Sequence, residues 1–217
     1  MHKSINNLAL INDQIKSKFG LVKNLNIIAV SKTFPMSEIN PLIENGHIHF
    51  GENKVQEAVD KWTDIKKFNE NLKLHMIGKL QTNKVKYVVP LFDYIHSVDN
   101  IKLAEKIASE QIKKNKSLKI FIQVNIGNEP QKSGINISDL KNFYEKCSKE
   151  LNLNIVGLMC LPPQYGLVKN YFNEMIKLKK TLNVEDLSMG MSEDYLEAVA
   201  CGATYVRIGS KIFGDRS

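Results

Sequence analysis

The sequence predicts an α/β protein, a single (β/α)8 barrel with an extra helix at its N-terminus. Three observations lead there. Eight short apolar, β-rich runs recur along the chain. Helical patterns separate them, and no Pro/Gly/Ser linker or low-complexity block interrupts the alternation. The length of 217 residues also suits a fold that forms one domain over about 200–250 residues. Residues 1–217 are therefore read as one domain, with 1–20 as a helix packed on the barrel.

Leu8, Ile11, Ile15 and Phe19 recur at spacings of three and four, which gives an amphipathic helix ending at Gly20. Strands are expected at 26–31, 48–51, 72–77, 94–98, 120–125, 155–161, 187–190 and 205–209. A helix over 54–68 presents Val55, Ala58, Val59 and Trp62 on one face, and one over 101–112 presents Leu103, Ala104, Ile107 and Ala108. Ser138 and Asp139 open a third helix. Ser192 opens a fourth, as an N-cap followed by the first-turn acids Glu193 and Asp194. The competing fold, an open doubly wound sheet, would want a glycine-rich fingerprint after the first strand, and Ser31-Lys32-Thr33-Phe34-Pro35 is not one.

A net charge of +7 admits an anionic partner, but the lysines are scattered over helix-like segments such as 112–116 and 176–180. They read as solvated helix faces, and no nucleic-acid partner is expected. Cys147, Cys160 and Cys201 are odd in number with no short spacing, so neither a disulfide framework nor a zinc site is expected. Segment 1–7 has no apolar signal core, and no run reaches the ~18 apolar residues of a membrane span. The expectation is a cytoplasmic protein with reduced thiols, no metal and no membrane partner.

Lys32 follows the apolar run Ile27-Ile28-Ala29-Val30, which puts an amine at the C-terminal end of a strand, where α/β barrels collect their chemistry. A desolvated lysine near other cations is nucleophilic toward an aldehyde, although a strand-end lysine can also be a plain surface charge. Far along the chain, Gly209 lets a phosphate approach the backbone and Ser210 adds a hydroxyl donor. Ser192, at a predicted helix start, is a further phosphate donor, a simple N-cap, or both. The first and last strands become neighbours when a barrel closes. A reactive amine beside a phosphate cradle suggests pyridoxal 5′-phosphate (PLP) held as a Schiff base.

Arg207 points away from Val206 and Ile208, and an inward arginine needs a partner, either a pyridine nitrogen or a structural carboxylate. Asn53, after the second strand, suits a ring hydroxyl. His75 is either a ligand contact or a packed core histidine, and Lys132 is a second amine or an ordinary loop lysine. His47, His49 and His96 are read as structural or exposed, while Met159 and Cys160 are expected to pack the barrel interior.

Several segments carry a resemblance. They are Ala29-Val30-Ser31-Lys32-Thr33, Phe50-Gly51-Glu52-Asn53, the run from His75 to Lys84, Lys132-Ser133-Gly134, and Gly157-Leu158-Met159. Near the C-terminus come Ser188-Met189-Gly190-Met191-Ser192, Arg207-Ile208-Gly209-Ser210 and Ile212-Phe213-Gly214. In this order, from about residue 26 onward, the set resembles the YggS/PROSC family of PLP-binding homeostasis proteins. The resemblance implies a barrel like the alanine racemase N-terminal domain (PLP fold type III). It further implies PLP on Lys32, phosphate on Ser192, Gly209 and Ser210, and Arg207 facing the pyridine nitrogen. Arginine there leaves that nitrogen unprotonated and weakens the electron sink, which suits storage or transfer of the cofactor over carbanion chemistry.

The implied function is intracellular PLP homeostasis, by a monomeric carrier that buffers PLP or delivers it to apo-enzymes. It is not a robust enzyme, and at most a weak amino-acid racemase. Two departures matter. Phe34 stands where the family often has a second lysine. The chain ends at Ser217, so no second domain with the racemase's catalytic tyrosine is expected. Two other functions compete: a small racemase using Lys132 or His75 as second base, and a phosphosugar isomerase in which Lys32 is unmodified.

Overall fold

The structure is a computed structural model that describes residues 2–214. Its strands are β1 (Asn26–Val30), β2 (His49–Glu52), β3 (Lys73–Met76), β4 (Tyr94–Val98), β5 (Lys119–Val124), β6 (Ile155–Cys160), β7 (Asp186–Ser188) and β8 (Tyr205–Ile208). Each lies within two residues of its expected place. All neighbours are parallel, and the sheet closes in chain order into a barrel. Closure joins β1 to β8 from Asn26↔Tyr205 to Ala29↔Ile208, the longest unbroken register at either edge of β1.

The first helix, α1 (Lys3–Phe19), buries Leu8, Ile11 and Ile15 and stops at Gly20, whose φ of 71° places it in the left-handed region that favours glycine. Around the barrel run α2 (Met36–Glu44), α3 (Val55–Phe68), α4 (Val85–Leu91), α5 (Ile101–Lys114), α6 (Leu140–Glu145), α7 (Val168–Leu182), α8 (Tyr195–Ala200) and α9 (Ser210–Phe213). Helix α1 packs on α2, α8 and α9, and the Asn7 side chain donates to the Ile212 carbonyl at 2.9 Å. Helices α2 and α4 contain Pro41 and Pro90, residues that remove a helical N–H and read as breakers in sequence. No helix among the described residues is long and apolar enough to cross a membrane.

One apolar cluster fills the space between barrel and helices, with Trp62, Phe50 and Phe172 fully buried. A second lies inside the barrel and joins Ile28, Tyr94, Phe121, Met159 and Tyr205. Met159 therefore packs inward as expected, whereas Cys160 belongs to the outer cluster. The correction follows from the pleat, since adjacent residues of a strand face opposite sides. The helix expected from Ser192 begins three residues later, at Tyr195, and Asp194 occupies its N-cap position. The Asp194 carboxylate accepts from the Met191 N–H at 2.6 Å and closes the turn itself, which releases the Ser192 hydroxyl from capping.

Candidate cofactor-binding site

A cavity of about 1180 Å³ opens at the C-terminal ends of the strands. Lys32 reaches it from the loop after β1, Asn53 from that after β2, Lys132 from that after β5, Ser192 from that after β7, and Gly209 and Ser210 from the end of β8. Arg207 enters from β8 itself. The fold thus brings together seven residues drawn from 32 to 210. His75 is the exception. It is fully buried inside the barrel with both ring nitrogens bonded to other histidines, so of its two readings the packed core residue holds.

The backbone around Lys32 is fixed by a partly buried polar cluster absent from the sequence reading. The Ser31 hydroxyl donates to Glu52 Oε1 at 2.8 Å, and that oxygen also accepts from Trp62 Nε1 at 3.0 Å. Lys61 Nζ donates to the Ser31 carbonyl at 2.8 Å and bridges Glu52 and Glu57 at 3.2 and 2.7 Å. Thr33 sits at φ 67°, a costly conformation for a β-branched residue, and its N–H donates to the Glu57 carboxylate. Phe34 closes the turn by donating its N–H to the Ser31 carbonyl at 3.2 Å and stacks on Phe213 at 4.8 Å.

The two acids of this cluster titrate in opposite directions. Burial pushes Glu52 up, against hydrogen bonds from Trp62, Lys61 and Ser31. Burial also pulls Glu57 upward, but Lys61 and the Thr33 N–H outweigh it and hold the carboxyl below its ordinary value.

On the far side of the β1–β8 seam, the Ser210 hydroxyl donates to Ser192 Oγ at 3.0 Å, and the Lys211 N–H donates to the same oxygen at 3.5 Å. Gly190, at φ 91°, turns the chain into this loop, where a Cβ would lie 2.5 Å from the Ala198 Cβ. Arg207 is buried and donates from Nη1 to Ser188 Oγ at 2.7 Å and from Nη2 to the Cys160 carbonyl at 2.8 Å. These acceptors are neutral, so the structural-carboxylate reading of Arg207 gives way. Burial lowers its pKa, against the pull of Cys160 and Asp194. At the cavity rim Lys132 Nζ pairs with Glu129 Oε2 at 2.6 Å, while Asn125 brackets that loop through both backbone groups of Glu129.

Below Arg207 lies a row of imidazoles. Ser188 Oγ is 2.9 Å from His96 Nδ1, His96 Nε2 is 2.9 Å from His75 Nδ1, and His75 Nε2 is 2.9 Å from His49 Nδ1. His75 stacks on Tyr94 at 4.2 Å and His96 on Phe121 at 4.3 Å. His47 stays outside the row, bonded to the His49 carbonyl at 2.9 Å.

A closed eight-stranded parallel barrel with Lys32 after β1, Ser192 after β7 and Ser210 after β8 lining one cavity is of the alanine racemase N-terminal domain type, and the chain matches that family over residues 7–217. Alanine racemases share the fold alone: that of Clostridium difficile superposes with a TM-score of 0.73 at 14% identity, covering 99% of this chain and 57% of that one. The pyridoxal phosphate homeostasis protein of Vibrio cholerae is 37% identical over 97% of this chain and 95% of its own length. That of Escherichia coli is 34% identical over 100% and 98%. The chain belongs to the pyridoxal phosphate homeostasis protein family. PipY of Synechococcus elongatus superposes with a TM-score of 0.87 at 34% identity in its PLP-free structure, covering 98% of this chain and 100% of PipY.

Two outcomes follow from these contacts. Lys61→Met leaves Glu52 buried without its cation and is expected to cost about 3 kcal/mol in urea unfolding. Lys67→Met, which breaks an exposed pair with Asp64, should leave the midpoint in place, and equal effects of the two would contradict the role given to Lys61.

The second outcome concerns pH. Burial lowers His47 and His49 to about 4 and takes His75 and His96 well below their ordinary value. Unfolded histidines bind protons below about pH 6.5, whereas these native ones do not, so their contribution is complete above that pH. It is lost as pH falls toward 4, with Glu52, shifted the other way, offsetting part. Melting temperature should drop steeply between pH 6.5 and 4 with net proton uptake, and a flat profile there would refute neutral native imidazoles.

Proposed function

We propose that this chain is one PLP-binding barrel domain that holds the cofactor as a Schiff base on Lys32. It works as a monomeric intracellular carrier, buffering PLP and passing it to apo-enzymes without robust turnover. The observation that carries this reading is the β1–β8 seam, which sets the Lys32 amine and the Ser192–Ser210 hydroxyl pair on one cavity. PLP supplies an aldehyde, and a lysine amine condenses with it to give an imine and one water. A solved structure of PipY, 35% identical with a TM-score of 0.85, has PLP bound, which supports the same ligand here.

The residues present fit the group. Ser192 and Ser210 offer two adjacent hydroxyls for the phosphate, beside the unobstructed backbone of Gly209. Asn53, after the neighbouring strand β2, lines the same cavity and offers its side-chain amide to the ring hydroxyl. Arg207 has only donors, so toward the pyridine nitrogen it gives a hydrogen bond and no proton-accepting partner. That nitrogen stays unprotonated and the ring is a poor electron sink, which favours holding the cofactor over carbanion chemistry. Lys132 adds a second amine at the mouth, paired with Glu129, and Phe34 fills the place of the family's frequent second lysine with a ring stacked on Phe213.

Titration with PLP tests this. The wild type should turn yellow with the visible imine band, and Lys32→Ala should not. A Ser192→Ala/Ser210→Ala double variant should keep the band but bind PLP at least about tenfold more weakly, the cost of losing hydrogen bonds to a charged group. An undiminished band in Lys32→Ala would overturn the assignment. Racemisation of L-amino acids clearly above the rate of free PLP would favour the enzyme over the carrier.

A further inference from the structure

The imidazole row plays no part in holding PLP as described, yet it occupies a barrel interior that branched aliphatic side chains ordinarily fill. Its hydrogen-bond arithmetic has one fixed end. An arginine can only donate, so Arg207 Nη1 gives its proton to Ser188 Oγ. Ser188 is fully buried, and the other polar atom at its hydroxyl is His96 Nδ1. If His96 also donated there, the serine proton would be left in a closed interior with no acceptor, the arrangement buried polar groups avoid. Ser188 therefore donates to His96 Nδ1, and His96 carries its proton on Nε2. That proton goes to His75 Nδ1, His75 in turn donates from Nε2 to His49 Nδ1, and His49 is left with its own proton on Nε2.

We propose that His49, His75, His96 and Ser188 are positioning residues. They form one hydrogen-bonded unit, ordered end to end by Arg207, that holds the arginine's guanidinium in the cofactor cavity. The unit fixes the serine hydroxyl, so that Arg207 meets a lone pair in one direction only, while the Cys160 carbonyl anchors its second nitrogen. Stacking on Tyr94 and Phe121 prevents the rings of His75 and His96 from turning. A protonated ring would donate from both nitrogens and break the order. The surroundings oppose such a charge: His47, Lys66, Lys73, Lys119 and Arg207 face the row as cations or potential cations, against Asp93, and burial raises the pKa of the Tyr205 phenol. The inference rests on the proposed function only in giving Arg207 a cofactor to face.

The test is nitrogen-15 NMR of the histidine rings in PLP-free protein at pH 7.5, a pH above the titration range of free imidazole at about 6.5. His49, His75 and His96 should each show a protonated Nε2 and a bare Nδ1. Ser188→Ala removes the fixed donor, so mixed forms should appear at all three rings, including His49 at the far end. Ser188→Thr, which keeps the hydroxyl, should restore the wild-type pattern. A protonated Nδ1 on any of the three wild-type rings overturns the proposal, as does an unaltered His49 in folded Ser188→Ala. Equilibrium dialysis gives the second readout: Ser188→Ala should bind PLP about tenfold more weakly while still forming the Lys32 imine. Unchanged affinity would remove the link to the cavity. A wild type that binds no PLP would sink the functional reading, while the ring spectra alone would still decide the order of the row.

Discussion

Closure of the barrel between its first and last strands is the constraint on which the rest depends. The residues that follow β1 and β8 are separated by nearly the whole chain, and only the parallel register from Asn26↔Tyr205 to Ala29↔Ile208 makes them neighbours. Both strands end at the same rim, so Lys32 and the Ser210 hydroxyl leave the sheet side by side. Everything chemical about the site follows from that adjacency. The remaining strands serve to close the circle and to bring Asn53, Lys132 and Ser192 to the same mouth.

Holding a lysine at such a seam requires a rigid backbone beneath it. The cluster of Glu52, Glu57, Lys61 and Trp62 meets that need by binding Ser31 and Thr33, the residues on either side of Lys32. Glu52 is shielded from water and Lys61 largely so, so this pair interacts strongly, and the same shielding makes loss of its cation costly. The left-handed Thr33 is tolerated because its N–H and its neighbours are tied down in this way. On the opposite side, Arg207 is buried among neutral oxygens, which leaves its charge uncompensated by a bonded carboxylate.

Much of the fold was legible because strand and helix periods alternate cleanly, and all eight strands were found from apolar runs alone. Helices α2 and α4 were not, since Pro41 and Pro90 argue locally against a helix that tertiary packing sustains. The lining residues were legible as strand-end amines, hydroxyls and glycines. The imidazole row was not, because His49, His75 and His96 lie 26 and 21 residues apart and meet only once strands β2 to β4 are in register. Part of the support cluster did carry a local signal, the four-residue spacing of Glu57 and Lys61 on α3. Ser192 reads in sequence as a helix start, a place that belongs to Asp194, because hydroxyl and carboxylate capping groups lie two residues apart in the same turn.

Which amine carries the cofactor is the most direct question to put to this molecule, since two lysines, Lys32 and Lys132, line the same cavity. Borohydride reduction of the PLP-loaded protein followed by peptide mass analysis answers it. The account predicts a single stable adduct on the peptide containing Lys32. An adduct on Lys132 with Lys32 unlabelled, or no adduct at all, would contradict it.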